Sequence, residues 1–231
     1  SWSAPPPLPR ATPAEVGLEA TALGEIDRLV ADGMAAKQMP GCVIAIGRRG
    51  KLVSLKAYGY RQLQPTAMPM TPDTVFDLAS ITKPVATATS IMHLIEHGKL
   101  RLHDRVGAHL LPFAQNGKEA VTVHHLLTHQ SGLIADNALA DYDDGPEKAI
   151  ERVYALGLLA PPGERFIYSD VNYIVLAELV RAVSGRNVAE YAAEHVYRPL
   201  GMNDTGYLPG APLREREAPT DQRDGQWIRG E

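Results

Sequence analysis

Ser80 and Lys83 stand three residues apart in "LASITKP". A serine hydroxyl is a weak nucleophile until a neighbouring base takes its proton. A lysine can be that base only where burial or charge destabilises its ammonium, since an unperturbed lysine titrates near ~10.4. A second chemistry competes inside the same run, "TVFDLASITKPVATATSIMHLIEHGKL". There His93, Glu96 and His97 spell H-x-x-E-H, a pattern that can offer two zinc ligands from one helix face with a glutamate as general base.

The positioning element for both is one predicted helix. Val85, Ala88, Ile91, Met92 and Ile95 repeat at three and four, and Gly98 marks the end. Ser80 falls where an N-terminal cap belongs, and Pro84 suits a first turn, whose backbone donors lack partners. Those free amides, that of Ser80 included, are candidate oxyanion donors. Alone, S-x-x-K is weak, because a capping serine followed by a surface lysine explains it fully.

A partner constellation lies downstream in "PPGERFIYSDVNYIVLAELV". Tyr168 precedes Asp170 by two, so both side chains leave the same side of a short extended turn before a long apolar helix. Asn172 is a candidate cap for that helix, and Tyr173 belongs to its opening turn.

With "LASITKP", "HHLLTHQSGL", "YSDVNY" and "YRPLGMNDTGY" in this order, the chain from about Ala14 to Tyr207 resembles the serine hydrolases that include class C β-lactamases, penicillin-binding peptidases and family VIII carboxylesterases. The resemblance implies a β-lactamase/transpeptidase-like α/β (α+β) fold: an antiparallel sheet flanked by helices, with a mainly helical subdomain. It implies Ser80 as acylated nucleophile, Lys83 as the lysine that accepts or relays its proton, and Tyr168 as general base for acylation and deacylation. Asp170 stands where asparagine is common in the family, as a supporting or substrate-binding residue. An ionised carboxylate beside Lys83 stabilises the ammonium and shifts the burden of base catalysis to Tyr168. It also lacks the donor hydrogens with which an amide greets a lactam side-chain carbonyl. Esterase or D-amino-acid peptidase chemistry is therefore expected over that of a true β-lactamase. The alternatives are a non-catalytic binding module of the same fold and, further off, a zinc peptidase built on His93, Glu96 and His97. In the family, "IMHLIEHGKL" is an ordinary helix end, and "HHLLTHQSGL" a helix end and turn in which His129 and Ser131 are structural. No metal or other cofactor is expected, and His125 with His129, which repeat the four-residue spacing, are discounted as ligands in the same way.

Elsewhere "GCVIAIG" and "LVSLKAY" flank "GRRGK", a hairpin signal, with strands over 42–46 and 52–58. Ala14 to Lys37 has a helical period, and "GPEKAIERVYALGLL", "VNYIVLAELVRAVSG" and "VAEYAAEHVYRPLGM" read as further helices. The expected organisation is an extended lead-in over 1–13, a helix and β-hairpin over 14–79, a mainly helical part over 80–207 and a polar loop or tail over 208–231. No K-T-G or H-T-G triad follows Tyr207, so the part of the fold that carries the facing strand is expected as a partner outside these residues.

Composition narrows the rest. At 231 residues, 45% hydrophobic and 22% charged, the chain can bury a sizeable core. A formal charge of −4 with scattered basic residues gives no footprint for nucleic acid. No apolar run reaches the ~18 residues of a membrane span. The lone Cys42 rules out an internal disulfide framework and, in its apolar run, reads as a buried inert thiol. The acidic Asp141, Asp143 and Asp144 read as a solvated loop. The expected substrate is a small ester, peptide or lactam, and a periplasmic or secreted location is expected over a cytoplasmic one.

Overall fold

The computed structural model of the chain describes residues 7–230. Residues 1–6 of the expected lead-in, with Glu231, lie outside the described residues. The chain divides into two compact units, one running to Leu78 and resuming at Asp204, the other spanning Ala79–Asn203.

The first unit is built on a hairpin. Strands β1 (Gly41–Arg48) and β2 (Lys51–Gln62) pair antiparallel from Gly41 opposite Gly59 to Arg48 opposite Lys51. Arg49 and Gly50 close the turn, both with positive φ (53° and 70°), the left-handed pair that matches the strands' own twist. Gly41 is fixed by close approach: a Cβ there would lie 2.3 Å from the Tyr58 carbonyl oxygen. Strand β3 (Met68–Pro69) adds to the edge of β2.

Helix α1 (Ala20–Ala35) is tied to β2 by Asp27, which accepts from Lys56 at 2.8 Å and from the Tyr58 hydroxyl at 2.5 Å. The helix expected from Ala14 to Lys37 is thus interrupted. A 3₁₀ turn over Ala14–Val16 ends on Gly17 at φ 72°, and the α-helix starts only at Ala20.

The stretch expected as a polar loop or tail over 208–231 departs further from the sequence reading. It contains a helical turn at Ala211–Arg214 and a small hairpin, β4 (Gln222–Arg223) with β5 (Gln226–Trp227). Val75 donates to the Arg216 carbonyl at 3.1 Å and accepts from the Ala218 amide at 2.9 Å, and Glu217 between them is 2% exposed. Backbone pairing across so many residues needs no hydrophobic period, and none is visible in the sequence.

The Ala79–Asn203 unit is helical, as expected for the middle of the chain. Its helices are α2 (Thr89–Glu96), α3 (Val123–Leu127), α4 (Pro146–Ala155), α5 (Asp170–Ser184) and α6 (Val188–Ala192), the last continued by a wider π-type turn over Ala193–Tyr197. Val171, Val175, Leu176, Leu179 and Val180 make α5 the centre of the core, against Ile91 and Leu94 of α2 and Leu126 of α3. Burying each such side chain stabilises by roughly 1.5–3 kcal/mol. Helix α5 is capped at its start by Ser169, whose hydroxyl accepts from the Asn172 amide at 3.2 Å, and at its end by Gly185 at φ 75°. Ser169, and not Asn172, is therefore the cap.

Among the described residues no helix is long and apolar enough to cross a membrane.

Candidate active site

Ser80 lies on a 3₁₀ turn, Ala79–Ile81, and its hydroxyl caps no helix. This differs from the N-cap expected. Ala79 just before it has φ 43°, a left-handed conformation costly for alanine, which presents Ser80 exposed at the entrance to the helix. A π-type turn over Lys83–Ala88 then leads into α2, with Pro84 in the first turn as anticipated. Turn and helix start point Lys83 back at the serine, and its Nζ donates to Ser80 Oγ at 2.9 Å.

The second pair of side chains arrives at the start of α5. Asp170, its first residue, holds Lys83 Nζ at 2.6 Å, and the lysine side chain is only 14% exposed. Tyr168 sits just before the cap, its ring centroid 5.0 Å from Lys83 Nζ and its phenol under the influence of both Ser80 and Lys83. Ser80, Lys83, Tyr168 and Asp170, separated by up to 90 positions in the sequence, are thus one cluster. Tyr173, one turn into α5, places its ring 5.9 Å from the same ammonium, so Lys83 is flanked by two aromatic faces.

The electrostatics follow from these contacts. Burial disfavours the Lys83 ammonium, but the hydrogen bonds to Asp170 and then Tyr168 outweigh it and hold the lysine above its ordinary value. Tyr168 moves the opposite way. Its hydrogen bonds with Ser80 first, and then with Lys83, pull the phenol below its ordinary value. Lys83 is therefore the cationic partner and Tyr168 the group whose proton is loosened.

Around this cluster runs a polar lattice. Ile167 N–H donates to the His129 carbonyl at 2.9 Å, Ser169 N–H to His129 Nδ1 at 3.1 Å and Asp170 N–H to the Ala135 carbonyl at 2.8 Å. Ser131 and Asn172 are buried and bonded to each other, Ser131 donating to the Asn172 Oδ1 at 2.5 Å. His129, expected from the sequence as a structural residue, also touches Tyr168, with ring centroids 4.6 Å apart.

The rival motif lies at the other end of α2. His93 Nδ1 is bonded to the Tyr191 hydroxyl at 2.7 Å, and His97 Nδ1 faces the His93 carbonyl at 2.9 Å. With His195 the two rings form a stack, centroids 4.2 and 4.7 Å apart, beside an apolar groove of about 770 Å³. Among the described residues no group of three or more His, Cys, Asp or Glu side chains is arranged to hold a metal. His125 Nδ1 accepts from the Thr122 amide in a capping box at the start of α3. The acidic loop leaves Asp143 and Asp144 exposed, as expected of a solvated loop, and is also pinned by Arg152 of α4, which bonds the Asp144 carboxylate and the Asp141 carbonyl. Cys42 is half-buried on β1, and burial pushes its thiol up, away from reactivity.

The family model described as Beta-lactamase matches residues 26–231. The chain belongs to the beta-lactamase family. Its fold is the beta-lactamase/transpeptidase fold, here an antiparallel hairpin sheet with helices and a helical unit that carries the Ser80 cluster. Among relatives in this family, it is 30% identical over 206 residues to a Bacillus subtilis protein named N-acetylmuramyl-L-alanine amidase, covering 81% of this chain and 46% of that one. It is also 30% identical over 222 residues to Esterase EstB of Burkholderia gladioli, covering 87% and 56%. A solved octameric penicillin-binding protein homologue from Pyrococcus abyssi aligns with TM-score 0.75 and 31% identity over 90% of this chain and 50% of that one. The chain spans about half the length of the curated relatives it matches.

Proposed function

We propose that the protein is a serine hydrolase that works through an acyl-enzyme on esters, amides or lactams, with ester or peptide substrates favoured over β-lactams. The observation that carries this reading is the Ser80 hydroxyl held at 2.9 Å by Lys83, whose ammonium lies 2.6 Å from Asp170 and 5.0 Å from the Tyr168 ring centroid. In the proposed cycle Tyr168 first gives up its loosened proton to solvent, its phenolate charge offset by the Lys83 ammonium, and Ser80 Oγ then attacks the carbonyl carbon while its proton passes to the Tyr168 oxygen. Collapse of the tetrahedral species breaks the bond to the alkoxide or amine leaving group, which takes the proton back from Tyr168. Water then attacks the acyl-enzyme while the Tyr168 phenolate accepts its proton, the bond between the acyl carbon and Ser80 Oγ breaks, and Tyr168 returns that proton to Ser80 Oγ, which restores the phenolate. Asp170 keeps Lys83 cationic throughout, a role for which the carboxylate is better suited than an amide.

Preference for esters and peptides rests on that same Asp170, which has acceptors but no donor hydrogens for a lactam side-chain carbonyl. Likeness to a named esterase and a named amidase supports a hydrolase of this range.

A fluorophosphonate probe and a chromogenic short-chain ester test the proposal on the protein in its natural full length. Stoichiometric labelling lost in Ser80→Ala, and a burst of chromophore matching the labelled fraction, are expected. Neither label nor burst would leave a binding module of the same fold.

A further inference from the structure

His129 touches no group assigned a step in that cycle except the Tyr168 ring, yet it holds the chain on both sides of that tyrosine. Its carbonyl accepts from the Ile167 amide at 2.9 Å and its Nδ1 from the Ser169 amide at 3.1 Å. The residue between those two anchored amides is Tyr168, whose ring lies 4.6 Å from the imidazole. Phe166 and Tyr173 complete an aromatic surround, with centroids 5.9 and 5.2 Å away. His129 itself is set by its own backbone, at φ 57°.

The protonation state of this imidazole follows from the network behind it. Leu133 N–H donates to Ser131 Oγ at 3.1 Å, so the Ser131 proton is directed at Asn172 Oδ1. That orientation turns the Asn172 amide nitrogen, a donor, toward His129 Nδ1 at 3.3 Å. Nδ1 therefore faces two N–H donors and can only accept, which places the imidazole proton on Nε2.

We propose that His129 is the positioning residue for Tyr168: a neutral Nε2–H imidazole whose Nδ1 and carbonyl clamp the backbone around the tyrosine and seat its ring over Lys83. The proposal rests on the serine-hydrolase reading for its catalytic consequence, and on the hydrogen-bond network for its structural one. A second proton on the ring would set an N–H against the Ser169 and Asn172 donors, and the clamp would open. The ionisable groups that face His129 are Lys83, Asp170, Tyr168 and Tyr173; burial first, and then the Lys83 charge, oppose its protonation, with Asp170 pulling the other way. Acidification below the ordinary imidazole range, ~6.5, is thus where the clamp is lost.

Two variants of the natural full-length protein separate positioning from mere packing. His129→Asn supplies an acceptor oxygen near the Nδ1 position but cannot titrate. His129→Ala supplies nothing. Ester kcat is expected to fall about 100-fold in His129→Ala with KM little changed, the size of loss that a small misplacement of a catalytic group brings. His129→Asn is expected to keep kcat within about tenfold and to lose the imidazole limb of the acid pH profile. Equal losses in the two variants, or an unchanged acid limb in His129→Asn, would overturn the proposal.

Long-range ¹H–¹⁵N correlations of the His129 ring give a readout that needs no turnover. A protonated Nε2 and bare Nδ1 are expected, and a proton on Nδ1 overturns the clamp whatever the activity. The expected tautomer in a protein that neither labels nor hydrolyses would retain the clamp and defeat the hydrolase reading alone.

Discussion

Lys83 carries two assignments that its surroundings decide between. A lysine three residues from a serine is commonly cast as the base, but here the carboxylate at 2.6 Å holds the ammonium above its ordinary value, and in the cycle proposed above the proton traffic falls to Tyr168. The sign is testable at position 170. Asp170→Asn removes the anion that raises Lys83, so the alkaline limb of the ester pH–rate profile is expected to move to lower pH as the lysine loses its proton sooner. The same change supplies an amide donor, and acylation of Ser80 by a fluorescent penicillin is expected to rise by about tenfold, the worth of one added hydrogen bond of ~1.4 kcal/mol. A profile that stays put would remove Asp170 from control of the lysine. Ser80, Lys83, Tyr168 and Asp170 were all legible as residue types at suggestive spacings. His129 was not, because its partners lie 38 to 43 positions away and nothing in "THQSGL" alone says which backbone it will meet.

Helix α5 does more than bring Asp170. Its buried row of Val171, Val175, Leu176, Leu179 and Val180 is the wall against which α2 and α3 rest, so the two halves of the cluster are held together by packing as well as by their own contacts. Leu176→Ala is expected to cost about 2–5 kcal/mol by removing a fully buried side chain, measured as a lower urea midpoint with an unchanged slope. Loss of under 1 kcal/mol would mean that the wall can collapse to fill the space. The helical period made α5, with its Gly185 stop, readable from the sequence. The hairpin was equally readable from its two β-rich runs and the turn between them. Irregular elements were less so. The 3₁₀ turn under Ser80, the π-type turn at Lys83–Ala88 and the break at Gly17 all replace what looked like uninterrupted or simply capped helix. A hydrophobic period reports which face is buried and is nearly blind to whether a backbone bond spans three, four or five residues.

At the scale of the whole chain, pH enters through its histidines. His93, His125, His129 and His195 are all held below the ordinary imidazole value, by burial first in each case. Unfolding frees them to bind protons near pH ~6.5 while the folded protein still resists. Stability contributed by the neutral rings is therefore complete above that pH and falls as acid is added. Each group can change stability by at most ~1.4 kcal/mol per pH unit in that window, and about 1 kcal/mol moves the midpoint of a chain this size by roughly 2–4 °C. Thermal melts from pH 7.5 to 5.5 are expected to show a decline of several degrees, with the His93→Gln variant declining less. Carboxylates such as Asp27 and Asp73, depressed by hydrogen bonds, act in a separate and lower window, lost only as pH falls through their own folded values.

The pairing of Lys83 with Asp170 has one more consequence, felt at a distance. Opposite charges 2.6 Å apart form a dipole, and a dipole's field decays a full power of distance faster than that of a lone ammonium. An anionic acyl donor diffusing toward Ser80 gains little steering from this lysine, and an uncharged one loses nothing by comparison. On the serine-hydrolase proposal, selection among substrates is thereby left to short-range fit around Ser80.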